Sequence, residues 1–200
     1  MTMQPASAVS VAAVVASGGL AVIPTDTVYG LCCDPQNAAA VERLSRLKAR
    51  PPGKPAALAF TSLQLALAAL PELGERTRAA LRALLPGPLT LLVPNPAGRF
   101  PLAGGELLGV RVIDLGLALD RPILLTSANV AGEPDARTLA EVPAQIRNGA
   151  DVALDGGELP GTPSTVVDLG ALEAGGDWRI VRQGACTRGA IECALVGSQS

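Results

Sequence analysis

Strand-like and helix-like segments alternate along this chain without repeating, which predicts one α/β domain built on a mixed sheet. Three observations carry that reading. Short apolar runs at 20–23, 56–60, 89–93, 108–113 and 123–126 have strand length, and stretches with helical spacing separate several of them. The 22 glycines and 17 prolines among 200 residues supply the turns that such an alternation needs. Hydrophobic residues are 48% of the chain but aromatics only 2%, so the core must be built from Ala, Val, Leu and Ile.

Taken in order, Val11, Val14 and Val15 stand at helical spacing within 6–17, and Gly18-Gly19 ends that helix. Residues 20–23 form a short strand running into Pro24. Val41, Leu44 and Leu47 mark the apolar stripe of a helix closed by Pro51, with Arg43, Arg46 and Arg50 off the stripe. A strand at 56–60 precedes helical patterns at 62–70 and 75–85, the second stopped by Pro86-Gly87-Pro88. Strands at 89–93, 108–113 and 123–126 follow, then a helix over 138–148 and strands near 151–154, 164–168 and 178–182. The end of the chain reads as a loose tail or a terminal helix.

Residues 1–25 carry no charge. They lack the basic start of a signal peptide, and Gly18-Gly19 interrupts them short of membrane length, so a cytoplasmic protein with no membrane association is expected. Histidine is absent, which removes Ser-His-Asp triads, Cys-His dyads and His-dependent metal sites. No two glycines are separated by one residue, so G-x-G-x-x-G cannot occur, and Gly53-Lys54 is followed by Pro55, so there is no Walker A loop. Cys32, Cys33, Cys186 and Cys193 form no C-x-x-C pair and read as reduced, incidental thiols; no metal ligand set is predicted. The net charge of −2 argues against a globally basic nucleic-acid binder.

Five segments can carry chemistry. Thr25, Asp26, Thr27 and Tyr29 place four polar side chains just after a strand, where ligands of α/β sheets sit; a self-satisfied turn is the alternative. Arg43, Arg46, Lys48, Arg50 and Lys54 are five cations in twelve positions with no acid among them. Lys48 and Arg50 stand where the helix must end, and Pro51 and Pro52 fix the turn behind them, as a polyphosphate site requires; a solvated helix face is the alternative. As surface cations they should contribute little to folding. Ser127 and Asn129, two apart at the end of a strand, can face the same side; ordinary strand-end punctuation is the alternative. Ser164 opens a β-branched strand. Arg111, alternating with valines, needs an anionic partner, and Arg182 has the same character.

In this order the segments resemble the YrdC-like family of threonylcarbamoyl-AMP synthases, in its short form. The matching pieces are GGLAVIPTDTVYGL from Gly18, LKARPPGKP from Leu47, PGPLT from Pro86, GVRV from Gly109, TSAN from Thr126, STVVD from Ser164 and VRQG from Val181, spanning about residues 8–185. The resemblance implies a twisted mixed sheet flanked by helices around a large concave basic cavity, with residues 1–185 as the catalytic domain and 186–200 as a tail or short helix. It implies condensation of L-threonine, bicarbonate and ATP, accompanied by Mg2+, into threonylcarbamoyl-adenylate and pyrophosphate. The product would serve modification of the tRNA adenosine beside the anticodon, with double-stranded RNA or tRNA and tRNA-modification proteins as further partners. Carried over by position, Lys48, Arg50, Lys54, Ser127, Asn129 and Arg182 fall at the ATP site, Lys48 and Arg50 as its principal cations, and Thr27, Arg111 and Ser164 at the threonine site. Departures from the usual pattern are Ala49 and Cys32 for glycine, Ile113 for proline and Ala131 for serine. Two other readings stay open: an RNA-binding module using the basic cavity, and carbamoyl-adenylate chemistry as in hydrogenase-maturation proteins.

Overall fold

A computed structural model describes residues 8–51, 53–114 and 119–197. The start of the first predicted helix, Pro52 and the last three residues of the predicted tail lie outside them. Nine strands form one sheet among the described residues: β1 Ala21–Ile23, β2 Gly30–Cys33, β3 Ala57–Phe60, β4 Leu89–Pro94, β5 Leu107–Val112, β6 Ile123–Ser127, β7 Val152–Ala153, β8 Thr165–Asp168 and β9 Arg179–Arg182. Their order is β7-β1-β2-β6-β3-β5-β4-β8-β9. Three pairs, β1–β7, β3–β5 and β4–β8, are parallel and the others antiparallel, so the sheet is mixed.

Six α-helices accompany it among the described residues: α1 Ala8–Ala16, α2 Ala38–Leu47, α3 Leu63–Ala69, α4 Glu75–Leu84, α5 Ala144–Gly149 and α6 Arg188–Gly197. Strand alternation divides their partners between the two faces. Val22, Leu31, Leu58, Phe60, Leu91, Val93, Leu108, Val110 and Val112 point to one side, where Leu44 of α2, Ala66 of α3, Leu81 of α4, Ile146 of α5 and Ile191 of α6 complete the larger core. Ala21, Ile23, Cys32, Ala59, Ile123 and Leu125 point to the other, where α1 supplies Val11 and Val15 to a smaller core. Among the helices, only α1 packs on this second face, toward the β7–β1 end, so the face of β3, β5, β4 and β8 is left for a cavity.

Strand β2 and the helix over 138–148 differ from the sequence reading. Strand β2 falls inside what reads as a polar motif and its sequel. It is buried on both faces and shows no period-two alternation. The helix expected over 138–148 is split into a 3-10 turn, Leu139–Glu141, and α5. Pro143 stands between them and has no N–H to continue a helical ladder.

Local chemistry explains the ends. Asn37 caps α2 through its side-chain oxygen, which accepts from Ala40 N at 3.0 Å. Ser62 does the same for α3. Gly74 offers α4 no side-chain cap, and Glu173, distant in sequence, accepts from Thr77 N at 2.7 Å instead. Helix α2 ends in a Schellman motif: Ala49 N donates to Arg46 O at 3.1 Å and Arg50 N to Ser45 O at 2.9 Å. That motif places Ala49 in the left-handed region, at φ +49°. This is why glycine is common at the equivalent position; alanine there costs about 1–2 kcal/mol of backbone strain.

Candidate active site

The uncovered face of the sheet holds a cavity of about 420 Å³, a size suited to a small-molecule ligand. Its floor follows from strand alternation. Ala57 of β3, Thr90 and Leu92 of β4, Gly109 and Arg111 of β5 and Val166 of β8 point away from the larger core and into it. The site is therefore not confined to the carboxyl ends of strands, as the sequence reading expected. The carboxyl ends of β1 and β6 supply part of its rim, through the β1–β2 loop and the segment after β6, and the chain after α2 supplies another part. The nine residues that the resemblance assigns to the ATP and threonine sites all line this cavity: Thr27, Lys48, Arg50, Lys54, Arg111, Ser127, Asn129, Ser164 and Arg182; of the others singled out from the sequence, Thr25 and Tyr29 line it, while Asp26, Arg43 and Arg46 do not.

One end is built around Lys48, the C-cap residue of α2. Its ammonium donates to the Ser127 carbonyl, to Asn129 O at 2.6 Å and to Asn129 Oδ1 at 3.0 Å. Ser127 Oγ also donates to Asn129 Oδ1 at 2.6 Å, while Asn129 Nδ2 donates to Glu133 O. The backbone is stitched in the same place, where Ala131 N donates to Lys48 O at 2.9 Å. Lys48 is only 2% exposed, which corrects the expectation of a surface cation. Three carbonyl acceptors compensate its charge, so it ties α2 to the end of β6 as well as contributing positive potential. Burial, helped by the neighbouring Arg50 charge, lowers its pKa to about 8.

Arg50 donates to Thr126 Oγ1 at 3.2 Å, to Lys54 O at 3.2 Å and to the Pro55 carbonyl, linking Lys54 and Pro55 to β6. Burial holds its guanidinium below its ordinary value. Lys54 is exposed at the rim. The five-cation run is thus divided, because Arg43 makes a bidentate pair with Asp151 and does not line the cavity.

The other end joins the β1–β2 loop to β4, β5 and β8. Thr25 Oγ1 donates to Val28 O at 2.7 Å and accepts from Thr27 N and Val28 N, so it fixes the loop. Arg111 Nη2 donates to Asp26 Oδ1 at 2.5 Å and to Thr27 Oγ1 at 3.2 Å. This is the anionic partner that the sequence required. Burial pulls both members toward neutrality, raising Asp26 and lowering Arg111 against their mutual attraction. Arginine's ordinary value lies so far above neutrality that the guanidinium stays charged. Its Nε–H is buried with no hydrogen-bond partner. Ser164 Oγ lies 2.9 Å from Thr90 Oγ1, and Arg182 Nη2 donates to Ser164 O at 2.8 Å. Arg182 thereby meets the residues assigned to threonine, and its charge is felt by Arg111.

Asp135 is the site residue that the sequence did not reveal. It lines the cavity, and its carboxylate opposes the lowering of the Lys48 pKa. No motif contains it; only the path of the chain beyond Ala131 brings it back toward Lys48. Tyr29 closes the same wall, its hydroxyl donating to Gly157 O at 2.9 Å and accepting from Gly156 N at 2.9 Å. Among the described residues, no group of three or more His, Cys, Asp or Glu side chains could hold a metal ion, and no helix is long and apolar enough to cross a membrane.

Comparison with known proteins places this geometry. Residues 13–184 match the profile of the Sua5/YciO/YrdC family, described as telomere recombination. The threonylcarbamoyl-AMP synthase of Chromohalobacter salexigens is 41% identical over 162 residues, 76% of this chain and 86% of that protein. The protein of the same name from Pseudomonas aeruginosa is 38% identical over 167 residues, 79% of this chain and 90% of that one. The crystal structure of P. abyssi Sua5 complexed with L-threonine superposes with a TM-score of 0.81 at 27% identity, covering 96% of this chain. This chain spans only 59% of that Sua5 chain. With the match running over most of its length, the chain belongs to the Sua5/YciO/YrdC family.

Proposed function

We propose that this protein condenses L-threonine, bicarbonate and ATP into threonylcarbamoyl-adenylate, for modification of the tRNA adenosine beside the anticodon. The observation that carries the reading is the buried Arg111 Nε–H without an acceptor, in a cavity that also holds Lys48, Arg50, Lys54 and Arg182. A donor left unpaired in a buried position costs free energy until a ligand supplies an acceptor. The threonine carboxylate supplies it, while Thr27 and Ser164 offer hydroxyls to the rest of the amino acid. The names of the relatives and the threonine bound in a Sua5 structure support the same assignment.

The chemistry needs no protein nucleophile. The threonine nitrogen bonds to the bicarbonate carbon, water leaves, and a carbamate results. A carbamate oxygen then bonds to the α-phosphorus of ATP as the bond to the β-phosphate oxygen breaks, and pyrophosphate departs. Catalysis of this kind comes from positioning and from offsetting charge. Lys48 acts on the phosphates through its field and by holding Ser127 and Asn129 in place. Arg50, Lys54 and Arg182 present further positive charge. One carboxylate, Asp135, among these cations does not fit a resident metal cage, so Mg2+ belongs with the triphosphate as part of the substrate.

A pyrophosphate-release assay with single omissions tests the proposal. Release should require ATP, threonine and bicarbonate together. Serine, which lacks the methyl group, should turn over about 10- to 100-fold less efficiently, the range for one methyl in an apolar pocket. Release indifferent to threonine would overturn the reading.

A further inference from the structure

Arg182 is the last residue of β9, an edge strand that among the described residues pairs with β8 alone. A long, exposed side chain on an edge strand has no packing of its own to fix its direction. Two features nonetheless aim it at Ser164. The first is a bulge: Val166 pairs with Arg182 and Val167 with Ile180, so Val181 has no residue opposite it. A bulge of this kind turns the neighbouring side chain. The second is the chain that follows. Thr165, fully buried, donates from Oγ1 to Cys186 O at 2.7 Å and accepts from Gly184 N at 2.9 Å and Cys186 N at 3.0 Å. Ala185 N donates to Pro163 O at 2.9 Å. One hydroxyl and one carbonyl thus hold the chain 184–186 flat against 163–165. Gly184 makes this approach possible, since a Cβ there would stand 2.2 Å from Pro163 O and 2.6 Å from the Ser164 carbonyl carbon.

We propose that Thr165 and Gly184 are positioning residues that act through Arg182, clamping its strand end so that the guanidinium stands over the cavity. The proposal rests on the reading of Arg182 as a cation for the ATP phosphates. Neither residue needs to touch substrate. A displacement of about 1 Å at a charged contact can cost on the order of 100-fold, so a clamp two or three residues away is enough to matter. Threonine suits the task because branching at Cβ restricts χ1, which fixes the hydroxyl between its three partners.

The test is a set of equilibrium affinities, for ATP and for threonine, on the full chain. Thr165→Val keeps the shape and removes the hydroxyl. It should weaken ATP binding about tenfold and leave threonine affinity within about twofold, whereas Thr165→Ser should restore ATP binding to within about twofold of the parent. In the Arg182→Ala background, Thr165→Val should change ATP affinity by less than about twofold, because the residue it positions is gone. Gly184→Ala, whose Cβ would press on Pro163 O and the Ser164 carbonyl, should likewise weaken ATP binding in the parent and not in the Arg182→Ala background; it is read on ATP affinity alone and serves if Thr165→Val does not fold. An equal loss of ATP affinity in both backgrounds, or a parallel loss of threonine affinity in Thr165→Val, overturns the clamp. If Arg182→Ala leaves ATP affinity unchanged, the reading of Arg182 fails and the clamp with it; if Arg182→Ala weakens ATP but the two variants are simply additive, only the clamp fails.

Discussion

Replacing Lys48 with methionine is expected to lower both stability and activity. The side chain is buried and its ammonium serves three acceptors, Ser127 O, Asn129 O and Asn129 Oδ1. Methionine fills a similar volume and donates to none of them. Ser127 O and Asn129 O lose this donor, while Asn129 Oδ1 keeps Ser127 Oγ; a buried carbonyl left unpaired costs about 1–3 kcal/mol, reduced where water enters from the cavity, so a loss of about 2–3 kcal/mol in denaturant unfolding is expected. Adenylate formation should fall at least about tenfold, because the segment carrying Ser127 and Asn129 loses its anchor and the cavity loses a charge. A solvated cation on a helix face would produce neither effect. The pH dependence carries the same signature. Lys48 loses its proton near pH 8, and an anionic ligand favours the ammonium, so affinity for ATP should fall as pH rises through that value. Where binding requires the protonated form, the dissociation constant rises up to about tenfold between pH 7 and pH 9. In Lys48→Met that rise should disappear.

The second large effect is expected at Arg111. Substitution by methionine strands the Asp26 carboxylate, which shares a part-buried pair with it at 2.5 Å. Removing one partner of such a pair costs on the order of 3 kcal/mol, mostly through the charge left behind. Activity should fall about 10- to 100-fold as KM for threonine rises, the consequence of losing the proposed charge-assisted contact to its carboxylate. The double variant Asp26→Asn with Arg111→Met separates the two roles. It should recover much of the stability, measured by urea unfolding, and none of the threonine affinity. Recovery of both would assign Arg111 to folding alone.

The sequence exposed most of the architecture because most elements carry local signals. The stripe of Val41, Leu44 and Leu47, the alternation of Arg111 with valines, and the proline breaks at Pro51 and Pro86 are readable without a partner in view. Strand β2 is not, since a segment buried on both faces has no polar side to reveal its period. Nor is the division of the helix over 138–148, where Pro143 outweighs the apolar spacing on either side. The site was legible as a set of residue types at strand and helix ends. What those residues do to one another was not. The burial of Lys48 depends on acceptors about 80 positions later, and the pairing of Arg43 with Asp151 depends on contacts across more than a hundred residues. Asp135 stands in a turn with no motif, and only the return of the chain toward Lys48 makes it part of the cavity. Ala49 is the reverse case. The departure from glycine was visible in the sequence, but its meaning, a left-handed residue closing a Schellman motif, required the backbone.

In the proposed condensation the bicarbonate carbon becomes the link between threonine and AMP, so the experiment is to follow that carbon. With labelled bicarbonate, ATP and threonine, the label should appear in one product that contains both threonine and AMP, in step with pyrophosphate release, and omission of any one substrate should leave that product unlabelled or unformed. ATP consumed with no label in any AMP-containing product would contradict the account.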